Sequence, residues 1–306
     1  MLKFTLKTMM AMSAVAAVSA CGGAIEDLIE DEIGDRVNDA AGPRLFLLHG
    51  NTTLNGEVRT ASVSTDGSGN VTRGALGAAE DGSVTTRVSF GSNESVEYTN
   101  GDGTFVFSED DGADTEYDRA RGLTIVSTSA SGRDRGFLGN EHILDFDHQT
   151  YGMWVTGIGT TNGSVSVGSF GHATAASDVP TSGSATYSGN SIGYVVGADQ
   201  RAYMTESEIA ISTSDFSNVT MSSTNTTVRA LSGGALSVAS QLNFAGTGTI
   251  SGTGFNANIA GTAAISSTTT GTAEGTFYGD GADEVGGTFS MSGPIGSYIG
   301  AFGAEQ

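Results

Sequence analysis

Cysteine, proline, tryptophan and lysine are all scarce in this sequence. Its 306 residues include one cysteine, three prolines and one tryptophan, and both lysines lie among the first seven residues. A single cysteine excludes an intramolecular disulfide and any metal site built from several thiolates. We therefore expect the fold to be stabilised by side-chain burial and backbone pairing alone.

Several motifs of catalysis and cofactor binding are also absent. The chain has no phosphate-binding G-x-x-x-x-G-K-[ST] loop, no H-E-x-x-H zinc motif and no cysteine pair. Glycine-rich strings such as SGTGF and TGIGTTNG lack the strand-then-helix context that a dinucleotide site needs. We therefore predict a protein that is not an enzyme, with no catalytic residue and no metal site.

The first residues have the features of an export signal. Two lysines precede an apolar core over residues 9–18, which is too short to span a bilayer of about 30 Å as a helix. The string VSAC, which ends at Cys21, resembles the bacterial lipobox. We predict a lipoprotein signal peptide over residues 1–20, lipidation of Cys21 and an acidic tether over residues 21–43. The alternative is a signal that is cleaved without lipidation.

Acidic residues outnumber basic ones. Asp and Glu total 34 against 13 Lys and Arg, which gives a formal net charge of −21 at pH 7. This charge would repel nucleic acid and anionic lipid surfaces, so we predict that neither is a partner. A strongly charged exterior instead suits a soluble domain held away from a membrane by its tether.

Beyond residue 44, short runs alternate between apolar and polar residues and are separated by glycine, serine, asparagine or aspartate. Two such runs begin at Leu236 and Phe255, and an alternation of this kind predicts antiparallel strands with one face on a core. No helical period is sustained after the tether, so the predicted class is all-β. Small residues at in-phase positions favour a tightly curved barrel.

The carboxyl-terminal region resembles the β-barrel domains of the transferrin-binding protein B family. GTFYGDGADEVGGTF at residues 275–289 and GAFGA near the terminus are similar to the last barrel strands of that family, and ASDVPTSGSATYSGNSIGY at residues 176–194 is similar to its first. The resemblance implies an amino-terminal antiparallel handle domain over residues 44–175. It implies an eight-stranded antiparallel barrel over residues 176–306, with Phe277 and Phe289 inside.

The resemblance also implies a function. Members are surface lipoproteins of the outer membrane, and smaller relatives with one handle and one barrel, the hemophilins among them, bind heme or iron-carrying proteins. We expect this chain to bind heme or an iron-carrying protein and to deliver it to an outer-membrane receptor. The alternative is an adhesin or immune-evasion lipoprotein that binds a host protein and has no small-molecule ligand.

Candidate ligand-binding residues lie where handle and barrel should meet. His148 is close in sequence to Tyr151, Met153 and Trp154, which would line an apolar slot for a porphyrin, and His172 lies near the predicted domain boundary. His142 and His148 are six residues apart, roughly 20 Å along an extended strand, so they cannot both ligate one iron. The competing interpretation is that each histidine is an ordinary surface or strand-end residue.

Two acidic segments remain open to interpretation. In the first, Asp280, Asp283 and Glu284 could form a calcium loop, an acid/base pair or a structural turn, and we favour a turn in which Glu284 pairs with backbone amides or an arginine. In the second, from Asn100 to Arg121, the carboxylates could bind a cation or a basic partner, but we favour a solvated hairpin tip.

Overall fold

A computed structural model describes residues 50–89, 92–117, 124–139, 144–231 and 234–306. The predicted signal peptide over residues 1–20, the tether over residues 21–43, Cys21 and His142 lie outside these ranges, as do residues 118–121 of the second acidic segment. Within the described ranges the chain is almost entirely β-strand, and no helix there has the length and hydropathy to cross a membrane.

The amino-terminal sheet has ten antiparallel strands. Their order across the sheet is β5-β4-β3-β1-β10-β9-β8-β7-β6, with β2 paired to the end of β1. The edge strands β5 and β6 follow one another along the chain through a short 3-10 turn at Glu109–Asp111, so the sheet curls back toward itself. The strands are β1 Gly50–Thr65, β2 Val71–Arg73, β3 Glu80–Ser89, β4 Ser92–Asn100, β5 Gly103–Ser108, β6 Asp114–Tyr117, β7 Thr124–Thr128, β8 Arg135–Gly139, β9 Gln149–Thr156 and β10 Gly163–Gly171.

The carboxyl-terminal sheet contains an eight-stranded barrel. The strands pair in the order β12-β11-β19-β18-β17-β16-β15-β13, and β13 also pairs with β12, which closes the ring. The two-residue strand β14 pairs with β13 beyond the part that pairs with β15. The strands are β11 Ala185–Gly197, β12 Ala202–Thr213, β13 Asn218–Ala230, β14 Ser237–Val238, β15 Phe244–Ser251, β16 Gly254–Gly261, β17 Thr270–Tyr278, β18 Glu284–Gly293 and β19 Gly296–Glu305.

Alternation of apolar and polar residues produces the barrel interior. In β16 the side chains of Phe255, Ala257 and Ile259 are buried, whereas Asn256 and Asn258 between them are exposed. Phe277 and Phe289 belong to the same interior cluster, as the sequence predicts. Small side chains such as alanine leave space in the barrel for these rings. The predicted fold class, an all-β handle followed by an eight-stranded barrel, is confirmed.

The run from Leu236 to Phe244 is not the continuous strand that its alternation predicts. Strand β14 covers only Ser237–Val238, and a 3-10 turn at Ser240–Leu242 separates it from β15. The Ala239 N–H donates to the Thr226 carbonyl at 2.8 Å, which turns the chain across the barrel end. Leu242 thereby enters the core, whereas Val238 remains 83% exposed. The alternation of apolar and polar residues in this run therefore does not mark one continuous strand.

One apolar cluster joins the two sheets. The handle contributes residues from β1, β9 and β10, and the barrel contributes the outward-facing residues of β11, β12 and β19. Strand β19 is consequently buried on both faces: Tyr298 and Phe302 point into the barrel, and Ile299 and Ala301 contact the handle cluster. Because apolar burial is the main source of folding stability, the handle and the barrel stabilise each other.

Candidate ligand-binding region where handle meets barrel

Strand β9 carries three of the predicted ligand residues and is buried on both faces. Tyr151 and Met153 belong to the cluster that contacts the barrel. Trp154, on the opposite face, lies in the handle core, where its ring stacks on Tyr98 with ring centroids 4.8 Å apart. All three side chains are almost inaccessible to solvent, so none offers a surface to a ligand in this arrangement.

The two predicted histidines lie next to each other. The N–H of His172 donates to the carbonyl of His148 at 2.9 Å, and the N–H of Gly279 donates to the carbonyl of His172 at 3.0 Å. His148 is buried with its imidazole against Gly279, whereas His172 is exposed. The structure therefore brings the histidines together but does not gather them with Tyr151, Met153 and Trp154 around an open cavity.

Metal binding finds no support in the described ranges. No group of three or more His, Cys, Asp or Glu side chains there is placed to hold a metal ion. The apolar side chains predicted to line a heme slot, Tyr151, Met153 and Trp154, are packed in the interior of the protein. Heme binding by these five residues stays a prediction.

Glu284 is the most perturbed carboxyl group of the region. Its Oε1 accepts the backbone N–H groups of Asp147 at 2.6 Å and His148 at 3.0 Å, so a barrel side chain holds the handle segment that leads into β9. The side chain is buried, and Oε2 has no hydrogen-bond partner among the described residues. Burial raises the pKa of Glu284 to about 8, and the nearby carboxylates of Asp147 and Glu305 add to the rise. The predicted pairing of Glu284 with backbone amides is confirmed.

Further polar contacts cross the same boundary. Gln149 donates through Nε2 to the carbonyls of Val285 at 3.0 Å and Ala304 at 3.1 Å. Arg59 of β1 forms an ion pair with Glu274 of β17. These contacts fix the orientation of the two sheets, because each requires a particular register between handle and barrel strands.

An open groove of about 500 Å³ lies beside this boundary. Two carboxylates, Glu208 and Glu305, share its lining with Asn190 and with the apolar side chains of Leu144 and Ile209. Burial raises the pKa of Glu305, and the charges of Asp145 and Asp147 add to the effect. The groove is thus acidic and mixed in polarity, unlike an apolar slot for a porphyrin.

One sequence string resembles a catalytic motif and is structural. Residues 189–193 read GNSIG, a match to the G-x-S-x-G pattern of serine hydrolases. The string lies inside β11, where its serine, Ser191, is buried and hydrogen-bonded to Ser207 at 2.6 Å. A hydrolase nucleophile sits instead on a sharp strand-to-helix turn, so this serine lacks the required setting.

The barrel also matches a known family. Residues 179–306 match the family model described as the C-lobe and N-lobe β-barrels of transferrin-binding protein B. The carboxyl-terminal domain is thus similar to this barrel family. The matched residues begin before β11 and continue to residue 306, so they include every strand of the closed ring. No curated protein sequence matches the chain significantly.

Solved structures of low sequence identity match more than four fifths of the chain. A variant of transferrin-binding protein B from Actinobacillus pleuropneumoniae is 12% identical, with a TM-score of 0.42 over 81% of this chain and 98% of that one. Isotype 1 transferrin-binding protein B from Neisseria meningitidis is 12% identical, with a TM-score of 0.36 over 84% and 77%. The lactoferrin-binding protein B N-lobe of Moraxella bovis is 12% identical, with a TM-score of 0.36 over 85% and 100%.

Proposed function

We propose that this protein is an outer-membrane surface lipoprotein that binds an iron-carrying protein and passes it, or its iron, to an outer-membrane receptor. The observation that carries the proposal is the match of residues 179–306 to the barrels of transferrin-binding protein B. The predicted signal peptide and lipidated Cys21 supply the route to the surface. A protein partner is favoured over heme because Tyr151, Met153 and Trp154 are buried.

Loops at one barrel end are suited to contact such a partner. The loop between β13 and β15 and the loop between β16 and β17 are neighbours there, and the Thr262 N–H donates to the Asn243 carbonyl at 3.0 Å. Each loop presents one large apolar side chain to solvent, Val238 at 83% and Ile265 at 71% exposure. Exposed apolar side chains on a fixed scaffold can act as binding anchors without a large ordering entropy.

Binding to purified proteins tests the proposal directly. The chain from residue 21 onward, with Cys21→Ser to prevent acylation, is immobilised and exposed to transferrin, lactoferrin and hemoglobin, each with and without iron or heme. We expect saturable binding of one of them. In parallel, hemin is added to the protein at equal concentration. A Soret shift without any protein binding would favour the heme alternative, and failure of every arm would refute the proposal.

Charge substitutions identify the contact loops once a partner binds. Val238→Asp and Ile265→Asp should each weaken binding at least tenfold, or about 1.4 kcal/mol, because a charge would have to be desolvated in the interface. Val106→Asp is the matched control, since Val106 is 49% exposed on β5 of the handle. An equal loss of binding in the control would show that the contact surface is not specific to the barrel loops.

A further inference from the structure

The barrel has one wall without charged side chains. Between Asp215 and Glu274 the only charged residue is Arg229, although 15% of the whole chain is charged and this stretch would be expected to contain about nine charges. Arg229 itself is largely buried, 3.5 Å from Glu206. The charged residues at the two ends of the stretch also have partners. Asp215 accepts hydrogen bonds within its own turn, and Glu274 pairs with Arg59.

Strand pairing arranges hydroxyl and amide side chains in rows across this wall. One row runs through paired residues of four strands, from Thr220 to Thr247, Asn258 and Thr272. A second row pairs Thr249 with Asn256. We call these six residues the uncharged wall. All six are exposed, and none lies in the cluster that joins the barrel to the handle.

We propose that the uncharged wall is a contact surface for a second copy of this chain. Two copies with a net charge of −21 each repel one another, and the repulsion is weakest where neither presents a charge. Threonine hydroxyl and asparagine amide groups both donate and accept hydrogen bonds, so the wall can pair with itself about a two-fold axis. A carboxylate-rich face could not pair in this way, because carboxylates only accept.

The chemistry of the wall disfavours other occupants. Carbohydrate and tight protein interfaces usually rely on exposed aromatic or arginine anchors, and the wall has none. Four strands spaced about 4.8 Å apart and about 20 Å of strand length give a face of roughly 300–400 Å² per copy. This is below the usual area of a stable dimer, so the association should be weak and concentration-dependent.

Sedimentation velocity tests the proposal on the chain from residue 21 onward with Cys21→Ser. The weight-average sedimentation coefficient should rise between about 10 μM and about 1 mM, the range in which so small an interface would associate. Association should strengthen as salt is raised, because salt screens the repulsion between the copies and leaves the uncharged contacts intact. An association that weakens with salt would contradict the proposal.

A pair of substitutions with a matched control locates the interface. Thr247→Glu with Thr272→Glu places four like charges in the contact and should leave the protein monomeric at every concentration. Thr53→Glu with Thr104→Glu adds the same charge at exposed strand positions of the handle and should associate as the unmodified chain does. Unchanged melting temperatures exclude unfolding as the cause.

Three outcomes would overturn the proposal. The first is an unmodified protein that stays monomeric up to about 1 mM, and the second is equal association of both double variants and the unmodified chain. In the third, a monomeric protein is retarded on a neutral dextran column and the Thr247→Glu, Thr272→Glu variant is not. That result would assign the wall to a neutral glycan.

Discussion

Glu284 should make the stability of the protein decrease as pH rises. The carboxyl group is 3% exposed and bridges the two sheets through the N–H groups of Asp147 and His148. Burial raises its pKa from 4.5 to about 8, with the charges of Asp147 and Glu305 adding to the rise, while the two N–H donors act in the opposite direction. Between pH 4.5 and pH 8, Glu284 therefore keeps a proton in the folded state that it has released in the unfolded state.

The direction and size of the effect follow from proton linkage. A carboxyl whose pKa is higher in the folded state contributes its full stability below the unfolded pKa and loses it as pH rises to the folded pKa. One proton changes the free energy of unfolding by about 1.4 kcal/mol per pH unit, so a window from 4.5 to about 8 corresponds to about 5 kcal/mol. Most of this loss should occur between pH 5 and pH 8.

Substitution by glutamine isolates the contribution of Glu284. Glu284→Gln keeps an oxygen that can accept both N–H groups but cannot ionise. Urea unfolding at a series of pH values from 5 to 9 should give a steep decline in unfolding free energy for the unmodified chain and a shallower one for the variant. Asp280→Asn, which neutralises an exposed carboxylate near Glu284 in sequence, is the control and should keep the steep decline.

Parallel curves for the unmodified chain and Glu284→Gln would refute this reasoning. They would mean that the carboxyl is hydrated or paired in solution, so that its folded and unfolded pKa values coincide. If the unfolding free energy of all three proteins fell equally with rising pH, the cause of that fall would be the general repulsion among the 34 acidic residues.

Three further predictions concern packing and pairing at the same boundary. Trp154→Ala should lower the unfolding free energy by about 3–5 kcal/mol, because it empties a fully buried site, and a loss below about 1 kcal/mol in denaturant titration would argue against this burial. Gly303→Ala should cost about 1–3 kcal/mol, since its Cβ would lie 2.7 Å from the ring of Tyr151; calorimetry showing an unchanged melting temperature would disprove the close contact. A double-mutant cycle of Arg59→Ala and Glu274→Ala should give a coupling energy of about 0.5–1 kcal/mol that decreases in salt, and zero coupling would show that the partly exposed pair is not formed in solution.

Local alternation was sufficient to predict the all-β class, whereas the eight-stranded barrel was predicted from the family resemblance of residues 176–194 and 275–289. In β16, for example, Phe255, Ala257 and Ile259 alternate with asparagines, and this period of two requires no knowledge of the rest of the chain. Pairing of Glu284 with backbone amides could also be predicted, but its donors could not, because the N–H groups of Asp147 and His148 lie more than 130 residues earlier in the chain.

Burial of a second strand face could not be predicted from local alternation. Strand β9 reads QTYGMWVT, with apolar residues on both faces, and such a run indicates that both faces are covered without saying by what. Its barrel-facing partners on β19 lie about 150 residues later in the chain. Tyr151, Met153 and Trp154 consequently resembled an exposed binding cluster when they were considered from sequence alone.

Strand β19 closes the barrel against β11, more than 100 residues earlier, and also covers the handle. Ribosomal synthesis delivers β9 and β10 long before β19, so during translation the apolar face that includes Tyr151 and Met153 would have no cover if the handle folded early. Pairing between such distant segments is slow, which prolongs that exposure. Productive folding therefore favours a chain kept unfolded, or shielded by a chaperone, until its last strand has emerged.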